Sequence, residues 1–143
     1  MTLLGALLAT LTAGCADSGD GTAQSVRATR EEVMGSWRST GGGFSEFTPN
    51  GKVRITGVSC QDLLLTTGGT AAVTGEWKIA RTRPGGEWWI SLTFPAGTCR
   101  NKGKSESGFY LKRSSGKLVL HLRDPGMDDN RVNFTKAPAS RRT

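Results

Sequence analysis

Residues 73–80 and 87–94 alternate with a period of two, and this alternation commits the chain to extended structure. In the first segment Val73, Gly75, Trp77 and Ile79 take one parity, against Thr74, Glu76, Lys78 and Ala80. In the second, Trp88, Ile90, Leu92 and Phe94 stand against Glu87, Trp89, Ser91 and Thr93. Successive side chains of a strand point to opposite faces, so the pattern predicts two strands with one buried face each. A helix would spread the same residues around all sides and leave Trp and Ile in water.

Shorter versions of the pattern recur. Residues 35–38, 44–48 and 52–57 precede these two strands. Phe109 with Leu111, then Leu118, Leu120 and Leu122, then Val132 with Phe134 follow them. The turns carry Thr48-Pro49-Asn50-Gly51, Ser114-Ser115-Gly116 and Asp124-Pro125-Gly126. Asn-Gly is a strong hairpin cue, because both residues tolerate positive φ. Residues 30–34 read as a short helical lead-in, and residues 60–66 as a helical turn that breaks the rhythm. About eight strands with short turns predict an all-β chain. The expected architecture is a single eight-stranded antiparallel up-and-down barrel, because closure removes exposed edges. An open β-sandwich is the second architecture.

Ahead of this domain, residues 3–14 contain only apolar, small or hydroxyl side chains and no charge. A transmembrane helix needs about 20 apolar residues; this run has the length of a signal-peptide core. It ends in Leu11-Thr12-Ala13-Gly14-Cys15, and the polar Ala16-Asp17-Ser18-Gly19-Asp20 follows at once. The segment resembles the signal peptide and lipobox of a bacterial lipoprotein, with Thr12 where Leu is usual and no Lys or Arg before Leu4. The resemblance implies that residues 1–14 are removed and that Cys15 is lipidated through its sulfur. It also implies an extracytoplasmic protein held to the cell membrane by that lipid. Residues 15–29 then serve as a flexible tether, since they lack large side chains to fix them on a core. The barrel domain covers residues 30–136, and residues 137–143 form a disordered basic tail.

The lipobox also accounts for an odd cysteine count. Of the three cysteines, Cys60 and Cys99 remain once Cys15 is lipidated, and outside the cytoplasm they are free to pair. The alternative is two buried thiols acting as small hydrophobes.

Gly35-Ser36-Trp37 resembles the start of a lipocalin-like or avidin-like barrel. In those families a Gly-x-Trp follows a short N-terminal helix and the Trp plugs the closed end. A basic residue from the last strand often stacks on that Trp, which implies Arg131 or Lys136 here. The wider pattern is similar to small actinobacterial lipoproteins. It comprises the Gly-x-Trp start, the Phe47-Thr48-Pro49-Asn50-Gly51 hairpin, the Asp124-Pro125-Gly126 turn and the closing Arg131-Val132-Asn133-Phe134-Thr135-Lys136. It covers most of residues 33–136 and carries no mechanism with it.

The candidate sites follow from strand parity. The inward residues are bulky enough to fill a small barrel, but Gly75 and Gly108 leave room for an alternative. That alternative is an apolar pocket lined by Trp77, Trp88 and Phe109, which would make the protein a carrier of a small apolar ligand. On the outward parity, Trp89, Tyr110, Val119 and His121 fall on three successive strands and would form one apolar-aromatic contact stripe. His121 is the only histidine, so no second histidine is there to activate a nucleophile, and no catalytic residue is assigned. Asp124, Asp128, Asp129 and Asn130 lack calcium-loop spacing and read as a polar turn; no metal or cofactor is expected. The net charge of +7 is spread along the chain, with a local run at Arg100, Lys102 and Lys104. It shows no basic patch interleaved with stacking aromatics, so nucleic acid is not an expected partner. The expected partners are the membrane through Cys15, and an envelope protein, a cell-wall polymer or a small apolar ligand. The expected function is non-enzymatic: a binding or interaction module at the cell envelope.

Overall fold

Every strand pairs antiparallel with its sequence neighbour, and the last returns to pair with the first. The computed structural model describes residues 26–64, 66, 68–81, 84–122 and 132–139. The signal segment, Cys15, the turn holding Asp124, Asp128, Asp129 and Asn130, Arg131, and the tail's Arg141 and Arg142 lie outside these. Helix α1 (Arg30–Val33) precedes β1 (Gly35–Ser39), β2 (Phe44–Phe47) and β3 (Lys52–Ser59). Helix α2 (Cys60–Leu64) then leads to β4 (Thr70–Arg81), β5 (Trp88–Phe94), β6 (Ser105–Ser114), β7 (Lys117–His121) and β8 (Asn133–Lys136). The chain is therefore a closed eight-stranded up-and-down barrel, and the open sandwich is excluded.

Four boundaries move from those read in the sequence. Strand β3 continues past Gly57 through a register shift between Thr56 and Val58, which moves the inward position from Ile55 to Val58. A bulge of this kind breaks period-two alternation without ending a strand. Strands β4 and β6 start earlier than expected, because their first buried residues, Ala71 and Ser105, are too small or polar to signal a strand. At the N-terminus, Val26 and Ala28, expected in the tether, pack against the core.

The core is a chain of rings. Phe47 meets Trp77 edge to face at 5.4 Å and Phe109 at 5.9 Å, and Phe109 meets Phe134 at 5.2 Å. The rings come from β2, β4, β6 and β8, so they link alternate strands across the barrel; such edge-to-face pairs add about 1 kcal/mol each beyond the area they bury. The two glycines that gave the pocket alternative its room leave no void at their own positions. A Cβ on Gly75 would stand 2.6 Å from Phe94 Cδ1, so the Phe94 ring occupies that space. Gly108 faces outward, and the Trp89 ring lies flat over it where a Cβ would stand.

The barrel's two ends are closed differently. At one, α1 packs beneath the strands. At the other, α2 covers the mouth with buried Leu63, whose carbonyl accepts a hydrogen bond from Ser107 Oγ at 2.6 Å. The Cys60–Cys99 disulfide ties α2 to the 3-10 turn Thr98–Arg100. Among the described residues, no helix is long and apolar enough to cross a membrane.

The disulfide spans 39 residues, and loop-closure entropy makes such a bridge worth about 4 kcal/mol. Replacing Cys60 and Cys99 together by Ser should lower the unfolding free energy by about this amount, measured by urea denaturation. A loss below about 1 kcal/mol would show that the β-ladder alone fixes α2.

Candidate functional site

Three tryptophans reach the α1 end of the barrel, and each meets a cation there. The local sequence explains how. Thr29 caps α1: its hydroxyl accepts from the Glu32 amide, and Glu32 Oε2 accepts from the Thr29 amide at 2.9 Å. This reciprocal box fixes a helix too short to stand on propensity. The helix in turn presents the Val33 carbonyl to Trp37 Nε1 at 2.7 Å. Trp37 is fully buried, and Lys136 from β8 lies over its ring with Nζ 5.6 Å from the centroid. Of the two residues that the barrel resemblance implied, Lys136 takes this place, and Arg131 lies outside the described residues. The Lys136 ammonium also donates to the carbonyls of Glu32 at 2.7 Å and Glu31 at 3.3 Å.

The other two tryptophans repeat the theme. Trp77 donates to the Thr48 carbonyl, while Arg30 lies 4.5 Å over its ring and donates to the Pro49 carbonyl. Trp88 sits at the start of β5 between two guanidinium groups, Arg81 at 4.6 Å and Arg27 at 5.4 Å. Arg113 on β6 gathers the lead-in: it donates to the Arg27 carbonyl at 3.0 Å and pairs with Glu32 Oε1 at 2.8 Å. Beside it a cleft of about 590 Å³ opens between α1 and β6–β8, lined by Glu32, Arg113, Ser114, Lys117, Thr135 and Lys136.

The residues proposed to line an interior pocket are therefore not gathered around one space. Trp77 and Phe109 both pack on Phe47 inside the barrel. Trp88 pairs with Arg81 while Trp77 pairs with Leu92, four positions along β4, which leaves Trp88 half-buried at the rim.

The outward candidates do come together. Trp89 stands opposite Tyr110, and Tyr110 opposite His121, in one row across β5, β6 and β7. Val119 stands two residues from His121, opposite Lys112 and Thr135. Trp89, Tyr110 and Val119 are half-buried, and His121 is buried at 2% exposure. The Trp89 ring lies on Gly108, so it is held against the barrel wall and does not project from it. Arg38, Lys112, Val119, His121, Asn133 and Thr135 line a shallow groove of about 240 Å³ beside this row. Among the described residues no three His, Cys, Asp or Glu side chains gather to hold a metal ion.

Of the cations at the α1 end, Lys136 was read through the barrel resemblance, and the arginines went unread in the sequence. Arg27 and Arg30 reach their tryptophans only because the lead-in folds back under the barrel, and Arg81 and Arg113 only because of strand register. Compared with family models, curated proteins and solved structures, the chain finds no match.

Glu32 carries the electrostatics of this end. The Thr29 amide, and after it the Arg113 guanidinium, hold its carboxyl below the usual glutamate range. A depressed carboxyl stabilises the fold fully above its unfolded pKa, and that stability is lost as pH falls through the folded value. Glu32→Gln should thus be less stable than the parent at neutral pH, with the gap closing as pH drops below about 4. Urea midpoints of the two proteins across acid pH check this; a gap that stays constant would mean that the carboxylate's charge contributes nothing.

Proposed function

We propose that this chain is a lipid-anchored, extracytoplasmic binding or interaction module without enzymatic activity, and that it works through the outside of its barrel. One observation carries the reading. Of three cysteines, two form a disulfide, and the remaining one, Cys15, ends the apolar run in a lipobox-like setting. A stable disulfide fits an oxidising compartment, and an export signal leads there. The two or three acyl chains of a lipoprotein anchor hold a protein stably where one would not.

The placing of function on the outer surface is supported by the ring chain, which packs the barrel interior with the protein's own side chains. Two outer features are suited to contact. One is the row of Trp89, Tyr110 and His121 with Val119 beside it, suited to an envelope protein. The other is the cationic α1 end, suited to anionic lipid or cell-wall polymer. The test is intact mass of the protein purified from the membranes of its own host, with and without reduction. The expected species is residues 15–143 plus diacylglycerol, gaining about 2 Da on reduction. A species with unmodified Cys15 would overturn the reading.

A further inference from the structure

We infer that the α1 end of the barrel docks on an anionic bilayer, with its exposed cations against lipid phosphates. The inference rests on the anchored reading and names the surface that the anchored barrel would turn toward the membrane.

The chain enters the barrel at its α1 end. The described chain starts at Val26, and residues 26–29 lead directly into α1, so the segment from Cys15 joins the barrel at this end. Those 11 residues (15–25) span roughly 17–20 Å as a coil and at most about 40 Å stretched. A lipid on Cys15 would thus keep this end within about two Debye lengths of the bilayer for much of the time. The opposite end, with α2 and the disulfide, would face away.

The α1 end is also the more cationic of the two. In α1, its lead-in and the adjoining strand ends and turns stand Arg27, Arg30, Arg81, Arg113, Lys117 and Lys136, all exposed. Among the described residues, Glu31, Glu32, Glu46 and Glu87 are the carboxylates placed with them, if the ion pair between Lys52 and Glu76 is set aside. The opposite end carries Arg100 and Lys102 against Asp62 and Glu106, with no excess, and Lys104 lies beside the Lys52–Glu76 pair. How the α1-end cations are held matters as much as their number. Among the described residues, Arg113 is the one of these cations paired with a carboxylate. Arg27 and Arg81 rest on Trp88, Arg30 on Trp77, and Lys136 on Trp37 and two carbonyls. Rings and carbonyls orient a cation without cancelling its charge. These side chains are therefore pre-positioned, and little further ordering is needed when they meet an anion. The cleft of about 590 Å³ adds a recess lined by Arg113, Lys117, Lys136 and the Ser114 and Thr135 hydroxyls, with Glu32 there paired to Arg113; its net positive donor set is suited to a lipid phosphate.

The test uses a chain begun at Ala16, which keeps the whole barrel and lacks the lipid. It is mixed with vesicles rich in phosphatidylglycerol and, in parallel, with vesicles of phosphatidylcholine, and binding is read by flotation. We expect binding to the first and not the second, weakening as salt rises. Lys117→Gln should weaken it about fivefold, and Arg81→Gln a similar amount; Arg100→Gln with Lys102→Gln at the far end should leave it close to unchanged. No binding to the anionic vesicles, equal binding to both kinds, or an equal loss from the far-end pair would overturn the inference. So would tighter binding to a soluble poly(glycerol phosphate) than to vesicles, which would point to a wall polymer. Because this chain has no lipid, the result is independent of whether Cys15 is modified. Failure of the anchor would show only in the mass of the native protein.

Discussion

The pairing of β8 with β1 is the contact on which the rest of this molecule depends. It sets Trp37 opposite Lys136, Arg38 opposite Thr135 and Ser39 opposite Phe134. It brings together residues from opposite ends of the described chain, so it carries a large loop-closure cost that the other ladders, all between sequence neighbours, do not. Without it, β1 and β8 would be open edges, and Phe134 would lose its place at the end of the ring chain. The α1 end would also come apart, because Lys136 is the residue that holds the Glu31 and Glu32 carbonyls and covers Trp37. The cationic face is thus a consequence of closure.

The same construction assigns different work to the inside and the outside. Inside, four rings link alternate strands, and Phe94 takes the space above Gly75. Outside, aromatic rings are held flat or clamped: Trp89 on Gly108, Phe44 between Arg38 and Arg54, Trp88 between Arg27 and Arg81. A guanidinium stacked on a ring covers apolar surface while its charge stays in water. That is how a basic protein can carry so many aromatic side chains outside its core.

Much of the fold was legible in the sequence because a half-buried strand must alternate. Trp77 to Ile79 and Ile90 to Phe94 could be nothing else, and the strand count then pointed to closure. Legibility failed where packing did not need a large side chain. Ser105 and Ser107 lie on the parity of Phe109 but are small, so the first half of β6 was silent. Trp88 shares its parity with Ile90 and reads as core, yet it is the first residue of its strand and falls at the rim. The outer row of Trp89, Tyr110 and His121 was readable because neighbouring strands in a meander keep register through tight turns. Lys136 over Trp37 was legible through the barrel resemblance, but the arginines over Trp77 and Trp88 were not, because Arg30 and Arg27 reach them only through tertiary contacts across about 50 to 60 positions.

Orientation at the bilayer is the most direct test of the whole account. A fluorophore can be placed by Ser115→Cys in the β6–β7 turn or by Gly103→Cys at the opposite end, both exposed sites, roughly 25 Å apart along the barrel. On the lipidated chain in phosphatidylglycerol-containing bilayers with a headgroup-attached quencher, the label at 115 should be strongly quenched and the label at 103 scarcely affected. Equal quenching at both sites, or stronger quenching at 103, would contradict a barrel whose α1 end faces the membrane.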